Sequence, residues 1–197
     1  MYGMVNRAIQ ELVCAKFGDE AWEQIKSVSG VDAELFIRNE TYPDDVTYRL
    51  VGAAAQVLGV DASVVLETFG EHWILSTARE GYGDLLDAAG KTLPEFLQNL
   101  PNFHSRVVLI FPKLKPPRFR CTDVQADSLT LHYYSHRPGL TSMVVGMVRG
   151  LGKMFDTNVT TEVLVSAASG ADHDEFRVRW GEAARLFNSA AASTTPA

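Results

Sequence analysis

Tyr133-Tyr134-Ser135-His136-Arg137 alternates a phenol, a hydroxyl and a guanidinium, and the rest of the chain is best read outward from it. In an extended strand, side chains two residues apart share a face, so Tyr133, Ser135 and Arg137 would converge on one point. Arginine brings a planar fork that matches a carboxylate, and each hydroxyl adds a donor. Such a set suits a ligand that carries carboxylates.

The helix pattern upstream supplies a second element. Thr92-Leu93-Pro94-Glu95 has the form of a capping box, with proline in the first turn, where a missing N–H is no loss. Leu93, Phe96, Leu97, Leu100, His104, Val107, Val108 and Phe111 then recur at three- and four-residue steps, predicting a helix from Pro94 to about Phe111. His104 lies on its apolar stripe. Carboxylates held by the Tyr-Ser-Arg set and a metal held by an imidazole together suggest an iron porphyrin. Each half has a plainer reading: a hydrogen-bonded core histidine, and a solvated strand face. Pro101 stands three residues before His104 and removes the backbone donor that the Leu97 carbonyl would otherwise receive. A kink or break is expected there, with His104 in the first turn of a second helical segment.

The elements on either side predict an α+β chain. Val5, Ile9, Leu12 and Val13 mark a helix ending near Gly18, and a second short helix is expected over 21–28. Pro43-Asp44-Asp45 begins another, with proline and acids in the first turn, running toward Gly59. Asp44 and Asp45 would sit about 100° apart on it, poorly placed as paired catalytic acids. A further helix opens at Asp61, with a bend expected at Gly70, and Gly81-Tyr82-Gly83 punctuates the piece that follows. Pro116-Pro117 stops the His104 helix. Strands are expected over 119–124 and 128–134, a helix over about 140–155, and a closing antiparallel pair over 159–165 and 175–180. Residues 1–183 read as one domain and 184–197 as a disordered tail.

Composition excludes several classes. The chain has 197 residues, 46% hydrophobic and 21% charged, as a globular domain does. The net charge of -6, with no basic stripe, argues against nucleic acid. No run of about 18 apolar residues predicts a membrane span, and the first residues lack the order of a secretion signal. Cys14 and Cys121 form no zinc spacing and read as free thiols in a reducing cytoplasm. His72, His132, His136 and His173 show no metal spacing with one another and read as surface residues. No nucleophile and base are paired in any recognisable motif, so no enzyme is expected.

Nearly end to end, the sequence resembles the heme nitric oxide/oxygen-binding (H-NOX) domains, the family that includes the sensor region of soluble guanylate cyclase. The landmarks are Tyr2-Gly3-x-Val5-Asn6, Asp44-Asp45-x-Thr47-Tyr48, Gly81-Tyr82-Gly83, Leu100-x-x-x-His104, Phe111-Pro112, Pro116-Pro117 and Tyr133-x-Ser135-x-Arg137. The resemblance implies a helical N-terminal part packed on a C-terminal part with an antiparallel sheet, and heme b between them. It implies His104 as proximal iron ligand, Tyr133, Ser135 and Arg137 on the propionates, and Pro117 pressed against the porphyrin. Gly70 matches a glycine bend on the distal side.

Oxygen-binding members of that family place a tyrosine three residues before a glycine on the helix after the Tyr-Ser-Arg set. Aligned on Gly146, that position here is Met143, which has no donor. Bound oxygen gains much from a hydrogen bond and nitric oxide far less, so the expected ligands are nitric oxide and carbon monoxide. Trp73, Val5, Ile74 and Met143 are expected to form a dry distal lining. The resemblance further implies that nitric oxide releases His104 and lets its helix move, with a histidine kinase or cyclic-di-GMP enzyme as protein partner. A passive gas carrier, an oxygen binder, a thiol sensor at Cys121 and a non-heme interaction domain remain as alternatives.

Overall fold

The computed structural model describes residues 1–181, so the expected disordered segment at 184–197 lies outside the described residues. Four helices open the chain: α1 (Gly3–Phe17), α2 (Asp19–Ser29), α3 (Asp44–Leu58) and α4 (Ala62–His72). A π-helical stretch, Trp73–Ala78, carries α4 directly into α5 (Arg79–Asp87), and α6 spans Leu93–Ile110. Strands β1 (Arg118–Thr122) and β2 (Ser128–Tyr134), helix α7 (Thr141–Met154), and strands β3 (Val159–Val165) and β4 (Asp174–Trp180) complete the order. The four strands form one antiparallel sheet, β1-β2-β4-β3.

Two main apolar cores and a smaller cluster of Tyr2, Met4 and Phe111 follow from this order. Ile9, Leu12, Trp22, Ile25, Leu50 and Phe69 close the N-terminal helices on one another. The inner face of the sheet, with Leu129, Leu131, Phe176 and Val178 fully buried, packs with α5, α6 and α7 in the second. The alternation along β4, buried at every second residue, is that of a sheet with one covered face. Trp73 packs against both cores, at the seam between them.

The seam is also where α4 meets α7, and it corrects the expectation of a bend at Gly70. Gly70 lies inside an unbroken helix. A Cβ there would overlap the Met143 carbonyl oxygen, and one on Gly146 would overlap the Glu67 carbonyl oxygen. The two glycines let the helix backbones touch, so Gly70 is a packing glycine. The irregularity falls later, in the π-helical turn and at Tyr82, whose φ of -145° interrupts α5 at the Gly81-Tyr82-Gly83 punctuation.

Helix α6 does not break at Pro101. It starts with the capping box, the Thr92 hydroxyl accepting from the Glu95 N–H at 3.4 Å and the Glu95 carboxylate from the Lys91 N–H at 2.8 Å. It then continues through Pro101 without a break, so His104 does not begin a second segment. The carbonyl left over finds a partner on the neighbouring strand. The Leu97 carbonyl, deprived of its donor by Pro101, accepts a hydrogen bond from the Cys121 thiol of β1 at 3.5 Å.

Candidate functional site

A cavity of about 230 Å³ opens between the two cores. Each wall comes from a different element. Helix α6 contributes Phe103, His104 and Val107; the proline pair contributes Pro116 and Pro117; α1 contributes Met4 and Val5; α7 contributes Met143 and Met147; the π-helical turn contributes Trp73. Tyr133, Ser135 and Arg137 reach it from the end of the sheet. Most of the lining is apolar, as expected for a site that holds a flat hydrophobic ligand by a few placed polar groups.

His104 is held in a defined tautomer and orientation. Its Nδ1 lies 3.1 Å from the Leu100 carbonyl, one helical turn back, and with Nδ1–H donating there Nε2 keeps a free lone pair. Phe119 stacks on the ring at 5.5 Å and 12°, and Phe103 meets it edge-on. Burial lowers the pKa of His104 below the ordinary imidazole value, against the opposing pull of the Leu100 carbonyl. The neutral form is the one that ligates a metal.

Tyr133, Ser135 and Arg137 all line the cavity, but in a geometry different from the strand alternation expected of them. Only Tyr133 stands on β2; Ser135 and Arg137 lie in the turn beyond it. The turn is closed by the Arg137 N–H donating to the Ser135 hydroxyl at 3.1 Å, a local bond that serine makes readily outside regular structure. The three residues still meet at one cavity. Burial raises the Tyr133 pKa, keeping the phenol a proton donor.

Arg137 has a partner that the sequence did not supply. Its Nε donates to Asp44 Oδ2 at 2.8 Å and its Nη1 to the Lys115 carbonyl at 3.2 Å. The Met1 ammonium also reaches Asp44, at 2.5 Å. Partial burial works against the charged carboxyl, but the ammonium and Arg137 outweigh it and hold the Asp44 pKa below its usual value. A carboxylate therefore already sits within the reach of the guanidinium, which is the type of group a propionate would be. Asp45 turns away to Arg49 at 3.4 Å, so the two acids do not pair.

Two expected placements are corrected. Ile74 is buried in the core and faces Gly150 of α7 rather than the cavity. It follows Trp73 by one position on a helical turn, so the two side chains diverge. His132 and His173 are not surface residues but partly buried neighbours, 2.9 Å apart through Nδ1 and Nε2. His72 is half-buried, and His136 is exposed as expected. Sequence patterning missed Phe119 and Met147 at the cavity and Asp44 as the partner of Arg137, each an ordinary residue of its own element that only tertiary packing brings into place.

The residues present fit an iron porphyrin: an imidazole with a free Nε2 in an apolar cavity, and cationic and hydroxyl donors at one rim. The chain matches the family described as Haem-NO-binding over residues 2–163, and it belongs to that family, the H-NOX domains, heme-based gas sensors related to soluble guanylate cyclase. Among known proteins it is similar to soluble guanylate cyclase gcy-35 of Caenorhabditis elegans, 37% identical over 171 residues, and to gcy-31 of the same organism, 32% over 165. Those alignments take in 83% of this chain, which spans about a quarter of the length of either relative. An H-NOX protein from S. oneidensis in the Fe(II)NO ligation state superimposes with a TM-score of 0.84 at 18% identity, covering 92% of this chain and 99% of that one. The Fe(II) unliganded H-NOX protein from K. algicida gives 0.79 at 24% identity, covering 92% and 97%. The α+β fold, helical part against sheet, is thus that of the H-NOX proteins.

Proposed function

We propose that this chain is a bacterial, cytoplasmic nitric oxide sensor that binds heme b and passes its signal to a separate effector protein. His104 would hold the iron through Nε2, and Tyr133, Ser135 and Arg137 would hold the propionates. When bound, the heme supplies a ferrous coordination position that takes nitric oxide or carbon monoxide, with nitric oxide weakening the bond to His104. The observation that carries the preference is Met143, which lines the cavity with a thioether where a donor to bound oxygen would be needed.

The chain's own residues do the rest. Val5, Met143 and Met147 keep water from the ligand side, and Trp73 closes it at the seam. Pro116 and Pro117 line the cavity together with His104 as a stiff wall that would press on a bound porphyrin. His104 lies on α6 and would couple its hold on a bound heme to that helix, whose far end exposes Leu109 and Ile110. A two-position α6, biased by whether His104 is held, is the element a partner would read. That partner is a histidine kinase or a cyclic-di-GMP enzyme.

Met143→Tyr tests the ligand preference. The variant should gain an oxygen complex that survives in air while the parent protein gains none. If the parent already holds oxygen stably, or if the tyrosine changes nothing, the role given to Met143 is wrong.

A further inference from the structure

On the face of the sheet opposite the cavity, three side chains converge that the heme site does not use. His132 is on β2 and Glu175 is directly across from it on β4, while His173 immediately precedes β4. His132 Nδ1 lies 2.9 Å from His173 Nε2 and 3.4 Å from Glu175 Oε1, and His173 Nε2 lies 3.2 Å from the same oxygen. We propose that His132, His173 and Glu175 form a second metal site, for one divalent first-row cation of the zinc type.

The distances are those of ligand atoms around a common ion. Zinc binds imidazole nitrogen and carboxylate oxygen at about 2.0–2.2 Å, which puts neighbouring ligand atoms about 3.0 Å apart at right angles and about 3.4 Å apart at the tetrahedral angle. All three separations fall close to that range. Two imidazoles and a carboxylate are a ligand set that zinc takes, with a fourth position left to water.

The surroundings orient the ligands as metal sites require. The second ring nitrogen of His132, Nε2, is 2.8 Å from the Thr122 hydroxyl of β1, which leaves Nδ1 to face the triad. His173 is stacked on Tyr134 at 4.1 Å and 19°, and its Nδ1 lies 3.4 Å from the Asp172 carboxylate. That Nδ1 is buried and makes no hydrogen bond among the described residues; a proton on it would face Asp172 and leave Nε2 to the metal. The ligand side chains are only 14%, 16% and 28% exposed, so the imidazoles are sheltered from competing water. A cation here would tie β2 to β4 next to Tyr133, which is paired with Asp174 in the same register.

The proposal stands apart from the heme reading and is tested on the heme-loaded protein. Zn²⁺ is titrated calorimetrically into chelator-treated protein, and bound zinc is counted by elemental analysis after dialysis. One zinc per chain is expected beyond the heme iron, with binding abolished in His173→Ala and weakened in Glu175→Gln. Thr122→Val, which removes only the orienting hydroxyl, should weaken it by about 10–100-fold. The heme absorption spectrum should be unchanged in all three, reporting that the fold is intact. Should His173→Ala fail to fold, the other two variants decide the matter. No zinc uptake by the parent protein, or parental affinity in both Glu175→Gln and Thr122→Val, would overturn the site.

Discussion

The thiol of Cys121 lies 3.5 Å from the carbonyl oxygen of Leu97, the acceptor that Pro101 leaves without its backbone donor. This pairing explains how α6 carries a proline in its interior and still runs as one helix to Ile110. A buried carbonyl without a partner costs about 1–3 kcal/mol, and a thiol recovers part of that. Burial also pushes the Cys121 pKa up to about 11, so the thiol keeps the proton it donates. The same protonated state makes Cys121 a poor nucleophile, which weighs against a thiol-sensing role.

Cys121→Ala should therefore lower stability by about 0.5–1.5 kcal/mol, and Cys121→Ser, which restores a donor, should recover much of it. In a Pro101→Ala background the backbone donor returns, and the cost of Cys121→Ala should shrink. Thermal unfolding of the parent, the two single variants and the double variant checks this as a double-mutant cycle. Equal costs in both backgrounds would show that the thiol packs there without serving the carbonyl.

Arg137→Ala should lower heme retention more than it lowers apoprotein stability. Its folded-state pair with Asp44 is partly solvent-exposed, and such pairs contribute about 1 kcal/mol or less. Heme transfer to an acceptor protein, set beside apoprotein denaturation, separates the two effects. Matching losses would argue against a dedicated role in holding carboxylates.

Asp44 gives the same rim a pH dependence of its own. Its lowered pKa means that its contribution is fully present above the ordinary carboxylate value of about 3.9 and is lost as pH falls through the folded-state value. Asp44→Asn should lower stability at neutral pH by that contribution and remove that part of the acid sensitivity, so that the two proteins converge in acid. Acid unfolding of the two proteins, followed by circular dichroism, makes the comparison.

Gly70→Ala and Gly146→Ala should each destabilise the protein by about 1–3 kcal/mol or more, since an added Cβ meets backbone and not a movable side chain. Their unfolding midpoints should fall together, because both positions serve the α4–α7 contact. A neutral effect at Gly70 would mean that the helices can separate there at little cost.

For His104 the folded-state pKa is depressed by burial, so the neutral imidazole's advantage is complete above about pH 6.5 and is lost as pH falls through the lower folded value. Heme retention should be flat above that range and decline below it. A heme-binding titration across about pH 5 to 8 measures it. Retention that stays constant through the acid limb would contradict ligation by this histidine.

Much of this architecture was legible because several local signals agreed. The capping box at Thr92, the stripe through Leu100 and His104, the proline pair at 116–117 and the β-branched runs each specify an element almost on their own. What failed to show was what depends on partners distant in sequence. Pro101 reads as a helix breaker until Cys121 is placed beside Leu97. Gly70 reads as a bend until α7 lies against it. His132 and His173 are 41 residues apart and gather only because β2 and β4 are neighbours in the sheet. Likewise, Ser135 and Arg137 reach the cavity from a turn, since the strand that would have carried them ends at Tyr134.

The most direct test of the central claim is an electronic absorption spectrum of the purified ferrous protein, recorded without oxygen, then in air, then with nitric oxide. A heme held by His104 beside a donor-free Met143 predicts a strong Soret band that air leaves unmoved and nitric oxide shifts. A Soret band that moves to a stable oxygen-bound form in air would contradict the nitric oxide preference. No Soret band after added heme would contradict the heme reading itself.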